Sequence, residues 1–190
     1  MKIRPIYFVI ILLLILYPLM MSNRTKPVEI KKNMPSIVYN DSKEFINQVN
    51  ICADYLEKDM DKSLYIPRKI LLAQAILESD YGNSRFALEG NNLFGVMTFD
   101  LTKPHLKPKN DTNSNFGAKS YETKCDSVYD YMQVLNHGTA FKEFRALRQN
   151  MILNNNLDVL NLVTTLTKYA TNPNYVYLLQ QIIKSLNKNY

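Results

Sequence analysis

The sequence predicts a mostly α domain with one non-helical insertion, carried behind an apolar N-terminal segment. Three observations predict it. From residue 41 onward apolar residues recur at spacings of three and four. Residues 98–120 break that pattern with Pro104, Pro108, Asn110-Asp111 and Gly117. Residues 6–21 carry no charge and no polar face.

Met1-Lys2-Ile3-Arg4 is a short basic start, and the run from Ile6 to Met21 follows it, broken only by Tyr7, Tyr17 and Pro18. This has the form of a signal or anchor segment. No small-x-small cleavage site follows, which favours an uncleaved anchor over a cleaved signal. Basic residues flank the run on both sides, Lys2 and Arg4 before it, Arg24 and Lys26 after it. The signal-like shape then points to an exported body, held at a membrane or released. We expect residues 1–22 as the anchor or signal, 23–40 as a polar tether with Pro27 and Pro35, and 41–190 as the folded domain.

The chain of 190 residues holds 23 basic and 17 acidic side chains, a formal net charge of +6. Residues 1–32 contain six of the basic ones against Glu29, so the rest of the chain keeps a single net positive charge. A broad phosphate-binding surface is therefore not expected, and nucleic acid is not an expected partner. Two cysteines and two histidines exclude a disulfide-rich scaffold and a Cys- or His-rich metal centre. No cofactor or metal is expected. Cys52 and Cys125 are expected as two thiols in preference to a bridge.

Asp41-Ser42-Lys43-Glu44 has the form of a capping box, and Phe45, Val49, Cys52 and Leu56 follow on one helical face. Pro67 suits the first position of a second helix, running through Ile70, Leu71, Ala73, Ala75 and Leu77 to a stop near Gly82. Helices resume after Asp126, with Val128, Tyr131 and Leu135 inward and Gly138 as the stop. Another runs through Phe141, Phe144 and Leu147. A segment from Leu157 to Tyr169 and a final helix from Pro173, with Tyr175, Leu179, Ile182 and Leu186 on one face, complete the chain.

Glu78 lies in the last turn of the second helix, with Gln74 and Ala75 one turn back and Tyr81 and Gly82 one turn on. That face offers no cation. Desolvation and the negative helix end both raise a carboxyl pKa, and an acid that stays protonated near neutral pH suits cleavage of a glycosidic bond. A solvated Glu at a helix end is the other reading of the same spacing. Gly90-Asn91-Asn92-Leu93-Phe94-Gly95 sets two amides between two glycines, which suits sugar hydroxyl and acetamido groups or, equally, an ordinary turn with Leu93 and Phe94 in the core. In Tyr169-Ala170-Thr171-Asn172-Pro173-Asn174-Tyr175, Asn172 is a sound helix cap. Tyr169 just before it either lines a cleft or fills the core.

Together, Ile66-Pro67 through Glu78-Ser79-Asp80-Tyr81-Gly82-Asn83-Ser84-Arg85-Phe86-Ala87, then Gly90 to Gly95, then Tyr169 to Tyr175 resemble the glucosaminidase domain family of bacterial peptidoglycan N-acetylglucosaminidases. The Asp126 to Tyr131 helix and Phe141 to Arg145 are similar to its Bax-type branch. The resemblance implies a lysozyme-like helical fold with a cleft against a small β-lobe. It implies that Glu78 is the general acid and that Tyr169 lines the cleft beside it, with Asn91, Asn92, Phe94 and Tyr81 shaping the substrate site. Tyr81 stands where the family usually has Trp, and Asn172 where it usually has Asp. The acidic residue that relatives place on the β-lobe has no counterpart here; it would fall near Phe116-Gly117. Asp100, Asp111 and Glu122 are the acids on hand, and the acetamido group of the substrate is another internal nucleophile.

The activity so implied is cleavage of peptidoglycan glycan strands after N-acetylglucosamine by a monomeric, membrane-tethered protein. A lytic transglycosylase on the same fold and a non-catalytic peptidoglycan-binding protein are the competing expectations.

Overall fold

The computed structural model describes residues 34–109, 111 and 113–189. The anchor expected over 1–22, and most of the tether, lie outside these residues. Among the described residues no helix is long and apolar enough to cross a membrane. Within residues 34–40, Ile37 is buried, and the Tyr39 hydroxyl donates to the Gly82 carbonyl at 3.0 Å.

Helix α1 (Ser42–Glu57) begins where the spacing places it. The Asp41 carboxylate accepts the Glu44 N–H at 2.8 Å, while the Glu44 side chain reaches back one residue further than a reciprocal box requires, to the Asn40 N–H at 2.7 Å. Phe45, Val49 and Cys52 are buried. Helix α2 (Arg68–Ser79) is buried on nearly every face, through Ile70, Leu71, Leu72, Ala73, Gln74, Ala75, Ile76 and Ser79. A helix enclosed all round has no polar stripe, which is why its sequence reads as an apolar run.

Helix α2 ends at Ser79, three residues before Gly82, near which the stop was expected. Asp80, Tyr81 and Gly82 take left-handed φ values of 51°, 54° and 82° in succession. Two non-glycine residues in that region cost about 1–2 kcal/mol each. The turn is held by the Ser79 hydroxyl, which accepts the Gly82 N–H at 2.8 Å, and by the Ser84 N–H donating to the Ser79 carbonyl at 2.7 Å. A side chain at Gly82 would overlap the Tyr39 hydroxyl.

A short helix α3 (Arg85–Gly90), not expected from the sequence, leads into the insertion. There the irregular segment or weak hairpin resolves into a small sheet of β1 (Met97–Thr98), β2 (His105–Leu106) and β3 (Gly117–Lys119). The order is β1-β3-β2 with both pairings antiparallel, Met97 opposite Ala118 and Leu106 also opposite Ala118. At its base, the Lys119 ammonium and the Tyr121 hydroxyl both donate to the Asp130 carboxylate at 2.7 Å.

Asp130 belongs to α4 (Lys124–His137), which starts before Asp126, not after it, because Thr123 and Asp126 form a reciprocal capping box. Then come α5 (Lys142–Leu153), the short α6 (Val159–Leu162) and α7 (Tyr175–Asn189). Helix α7 begins at Tyr175, not Pro173, because Asn172 first closes a turn by accepting the Asn174 N–H at 2.9 Å. Helix α2 packs most extensively against α7, and α1 against α4.

Cys52 of α1 and Cys125 of α4 form a disulfide, which corrects the expectation of two thiols. Both side chains are fully buried on facing helices with their Cα atoms 5.4 Å apart, a geometry in which a bridge forms without moving the backbone.

Candidate active site

Glu78 stands on the final turn of α2, half-buried, and enters no ion pair among the described residues. Burial raises its carboxyl above the ordinary range. One hydrogen bond opposes that effect: the Tyr175 hydroxyl donates to Oε1 at 2.7 Å. The other oxygen, Oε2, faces Gly95, where even a Cβ atom would stand 3.6 Å away. One carboxylate oxygen is thus committed to the protein and the other is left toward a backbone without a side chain.

The Tyr175 contact ends a buried chain. Tyr131 donates to Gln74 Oε1 at 2.6 Å, Gln74 Nε2 donates to the Tyr175 hydroxyl at 2.8 Å, and Tyr175 donates to Glu78. Each group has one direction of donation open to it, because the Gln74 amide has a fixed donor side and a fixed acceptor side. Burial pushes the Tyr131 and Tyr175 phenols far above their ordinary range, and the nearby Glu78 carboxylate pushes the same way. Both therefore stay protonated and act as donors.

Tyr169 is brought to the same place. Its ring stacks on Tyr175 with centroids 5.8 Å apart and planes 5° apart, and its hydroxyl donates to the Phe94 carbonyl at 2.9 Å. Phe94 in turn stacks on Tyr131 at 4.0 Å. The three stretches singled out in the sequence converge: 74–78 meets 169–175 through Tyr175, and 90–95 meets it through Tyr169.

The remaining expected residues divide. Asn92 is 1% exposed. Its Nδ2 donates to the Val96 and Lys119 carbonyls and its Oδ1 accepts the Phe94 and Val96 N–H groups. Asn91 takes a left-handed cap at φ 52°, gives its amide to the Tyr121 and Glu122 carbonyls, and accepts from Lys124. The Phe94 ring is fully buried. The surfaces of Asn92 and Phe94, and the hydrogen-bonding capacity of the Asn92 amide, are spent inside the protein. Tyr81 follows Glu78 on the strained turn, and its ring packs edge-on against Phe45 at 6.1 Å.

Of the acids considered as a second carboxylate, Asp100 is exposed and bound to the Thr102 hydroxyl and N–H, and Asp111 and Glu122 are exposed. None of them acts on the titration of Glu78. Sequence reasoning missed Tyr175, Gln74 and Tyr131 as site residues. The available signal was Gln74, a lone amide inside the apolar run Ile70 to Leu77, which needs a buried partner.

Comparison with known proteins places the chain in a family. The glucosaminidase family model, described as mannosyl-glycoprotein endo-beta-N-acetylglucosaminidase, matches residues 54–188. The exo-glucosaminidase LytG of Bacillus subtilis (strain 168) is 29% identical over 168 residues, 84% of this chain and 56% of that protein. An N-acetylmuramoyl-L-alanine amidase domain-containing protein of Staphylococcus aureus is 30% identical over 152 residues, 76% of this chain and 24% of that protein. The chain thus spans little more than half, and a quarter, of the lengths of these relatives. Two solved structures share the fold. The catalytic domain of the autolysin Auto from Listeria monocytogenes has a TM-score of 0.53 at 20% identity, covering 90% of this chain and 92% of that one. A truncated glycoside hydrolase domain of Salmonella typhimurium FlgJ has a TM-score of 0.54 at 22% identity, covering 78% of this chain and 99% of that one. The chain belongs to the glucosaminidase family.

Proposed function

We propose that this glucosaminidase-family chain cleaves peptidoglycan glycan strands at the β-1,4 bond after N-acetylglucosamine, with Glu78 as the general acid. The observation that carries the reading is the environment of Glu78, a desolvated carboxyl with one hydroxyl donor and, among the described residues, no ion pair. Burial favours the protonated form of the carboxyl, and Oε2 is the oxygen left to give its proton to a leaving oxygen. Once the proton is given up, the Tyr175 hydroxyl stabilises the carboxylate that forms on Oε1. Tyr169, stacked on Tyr175, positions the sugar beside it.

The lack of an acid at the expected β-lobe position, near Phe116-Gly117, favours a nucleophile supplied by the substrate. The 2-acetamido oxygen serves that role in hydrolysis, and a neighbouring sugar hydroxyl serves it in a transglycosylase, which is the second reading. Export to a cell envelope is part of the same proposal, supported by the apolar N-terminal segment and by the Cys52–Cys125 bridge, which suits an oxidising compartment.

Mass spectrometry of the fragments released from purified peptidoglycan tests the reaction class. Reducing N-acetylglucosamine ends are expected. Anhydro ends would assign the transglycosylase, and binding to sacculi with no new ends would overturn both.

A further inference from the structure

We propose that the cavity at the N-terminal end of α2 is a binding site for a small carboxylate on an apolar body. The cavity measures about 310 Å³, at the lower end of the range for small-molecule sites. It lies at the opposite end of α2 from Glu78, roughly 15 Å along the helix at 1.5 Å per residue. It does not depend on the glycosidase reading.

Arg148 is the residue that calls for a ligand. It lines the cavity while only 3% exposed. Its Nη1 donates to the Tyr65 carbonyl at 3.2 Å and its Nη2 to Asn136 Oδ1 at 2.7 Å, but its Nε is buried with no partner. No carboxylate among the described residues pairs with it, and burial with the neighbouring Arg145 lowers its pKa only to about 10, so it remains a cation at neutral pH. A buried charge held by neutral acceptors alone is costly, and an anion beside it removes that cost.

The surroundings match one charge sign. Helix α2 starts at Pro67 with no side chain capping its free N–H groups, and Lys62 lines the same cavity. The one carboxylate in the wall, Glu57, is already held by Arg68 at 2.7 Å. The rest of the lining is apolar. Ile66 forms part of the wall, and Ile152 and Leu157 are 45% and 49% exposed. A purely ionic ligand such as phosphate would leave that surface unused. A carboxylate carried on a hydrocarbon or peptide body would cover it.

The test is titration of the full chain with hexanoate, with N-acetyl-Ala-Ala, with the C-terminal amide of that dipeptide and with inorganic phosphate, followed by amide chemical shifts around residues 62–68 and 148. Saturable binding of an acid at least tenfold tighter than of the amide is expected. The tighter of the two acids decides between an aliphatic acid and a peptide C terminus. Lys62→Ala, at an exposed position, should weaken the binding several-fold, and Arg148→Met should abolish it. If Arg148→Met does not fold, Lys62→Ala decides alone. Equal binding of acid and amide, phosphate binding as tightly as the acids, unchanged affinity in the variants or no saturation would each overturn the proposal.

Discussion

Glu78 is a carboxyl whose two oxygens have different environments, and its consequences are testable one residue at a time. Tyr175→Phe removes the donor to Oε1 and leaves Gln74 Nε2 without its acceptor. A hydrogen bond to a charged group is worth about 1.5–3 kcal/mol, so kcat should fall roughly 10- to 100-fold with KM little changed. Because that bond lowers the Glu78 pKa, the alkaline limb of the pH–rate profile should move to higher pH in the variant. A merely structural role for Tyr175 would leave the limb in place. Stability carries the same signature. The folded carboxyl titrates above the unfolded one, so the folded state binds the proton more tightly. That contribution is present below the ordinary carboxylate range and is lost as pH rises through the raised value. Glu78→Gln should therefore match the parent Tm in acid and exceed it by a few degrees above neutrality, a difference that calorimetry across pH reads directly.

At the scale of elements, the two amides of the 90–95 loop show what residue type alone cannot decide. Asn groups that suit a sugar also suit backbone N–H and C=O groups, and here the backbone takes them. Asn92 ties Phe94, Val96 and Lys119 together, joining the start of the β-lobe to its central strand. Asn92→Ala should cost about 3 kcal/mol, since it leaves several buried groups unpaired. Hydrogen exchange should show the loss of protection concentrated in residues 96–119 while α2 and α7 stay protected. The long helices were legible because burial of one face imposes the three- and four-residue spacing that the sequence displays, as at Phe45, Val49 and Cys52. The boundary of α2 was not, because Asp80 and Tyr81 adopt a conformation that local preference disfavours, and the side chains of Ser79 at the helix end and of the distant Tyr39 hold it in place. Helix α3 is too short to show a period.

For the whole molecule, the site is assembled from segments almost a hundred residues apart. Tyr175 and Glu78 are separated by 97 positions, and the Gln74 amide between Tyr131 and Tyr175 links three helices. Glu78 was readable from its own neighbours, while Tyr175 looked like a core residue of an amphipathic helix, and it is one: its ring is buried and only its hydroxyl reaches the site. The disulfide was equally hidden, because a separation of 73 residues carries no local signal. A bridge closing a loop of that length stabilises by about 4 kcal/mol in the chain-entropy treatment. It joins α1 to α4, and α4 carries both Tyr131 and the Asp130 anchor of the lobe, so the scaffold behind the site is tied where its hydrogen-bond chain begins.

The most direct measurement is the turnover of purified peptidoglycan by the full chain and by its Glu78→Gln variant, each shown to be folded. Glutamine keeps the shape and can accept from Tyr175 but cannot deliver a proton. The account predicts a loss of roughly a thousandfold in glycan cleavage, in the range of general-acid catalysis, with binding to sacculi retained. Cleavage by the variant within tenfold of the parent would contradict it.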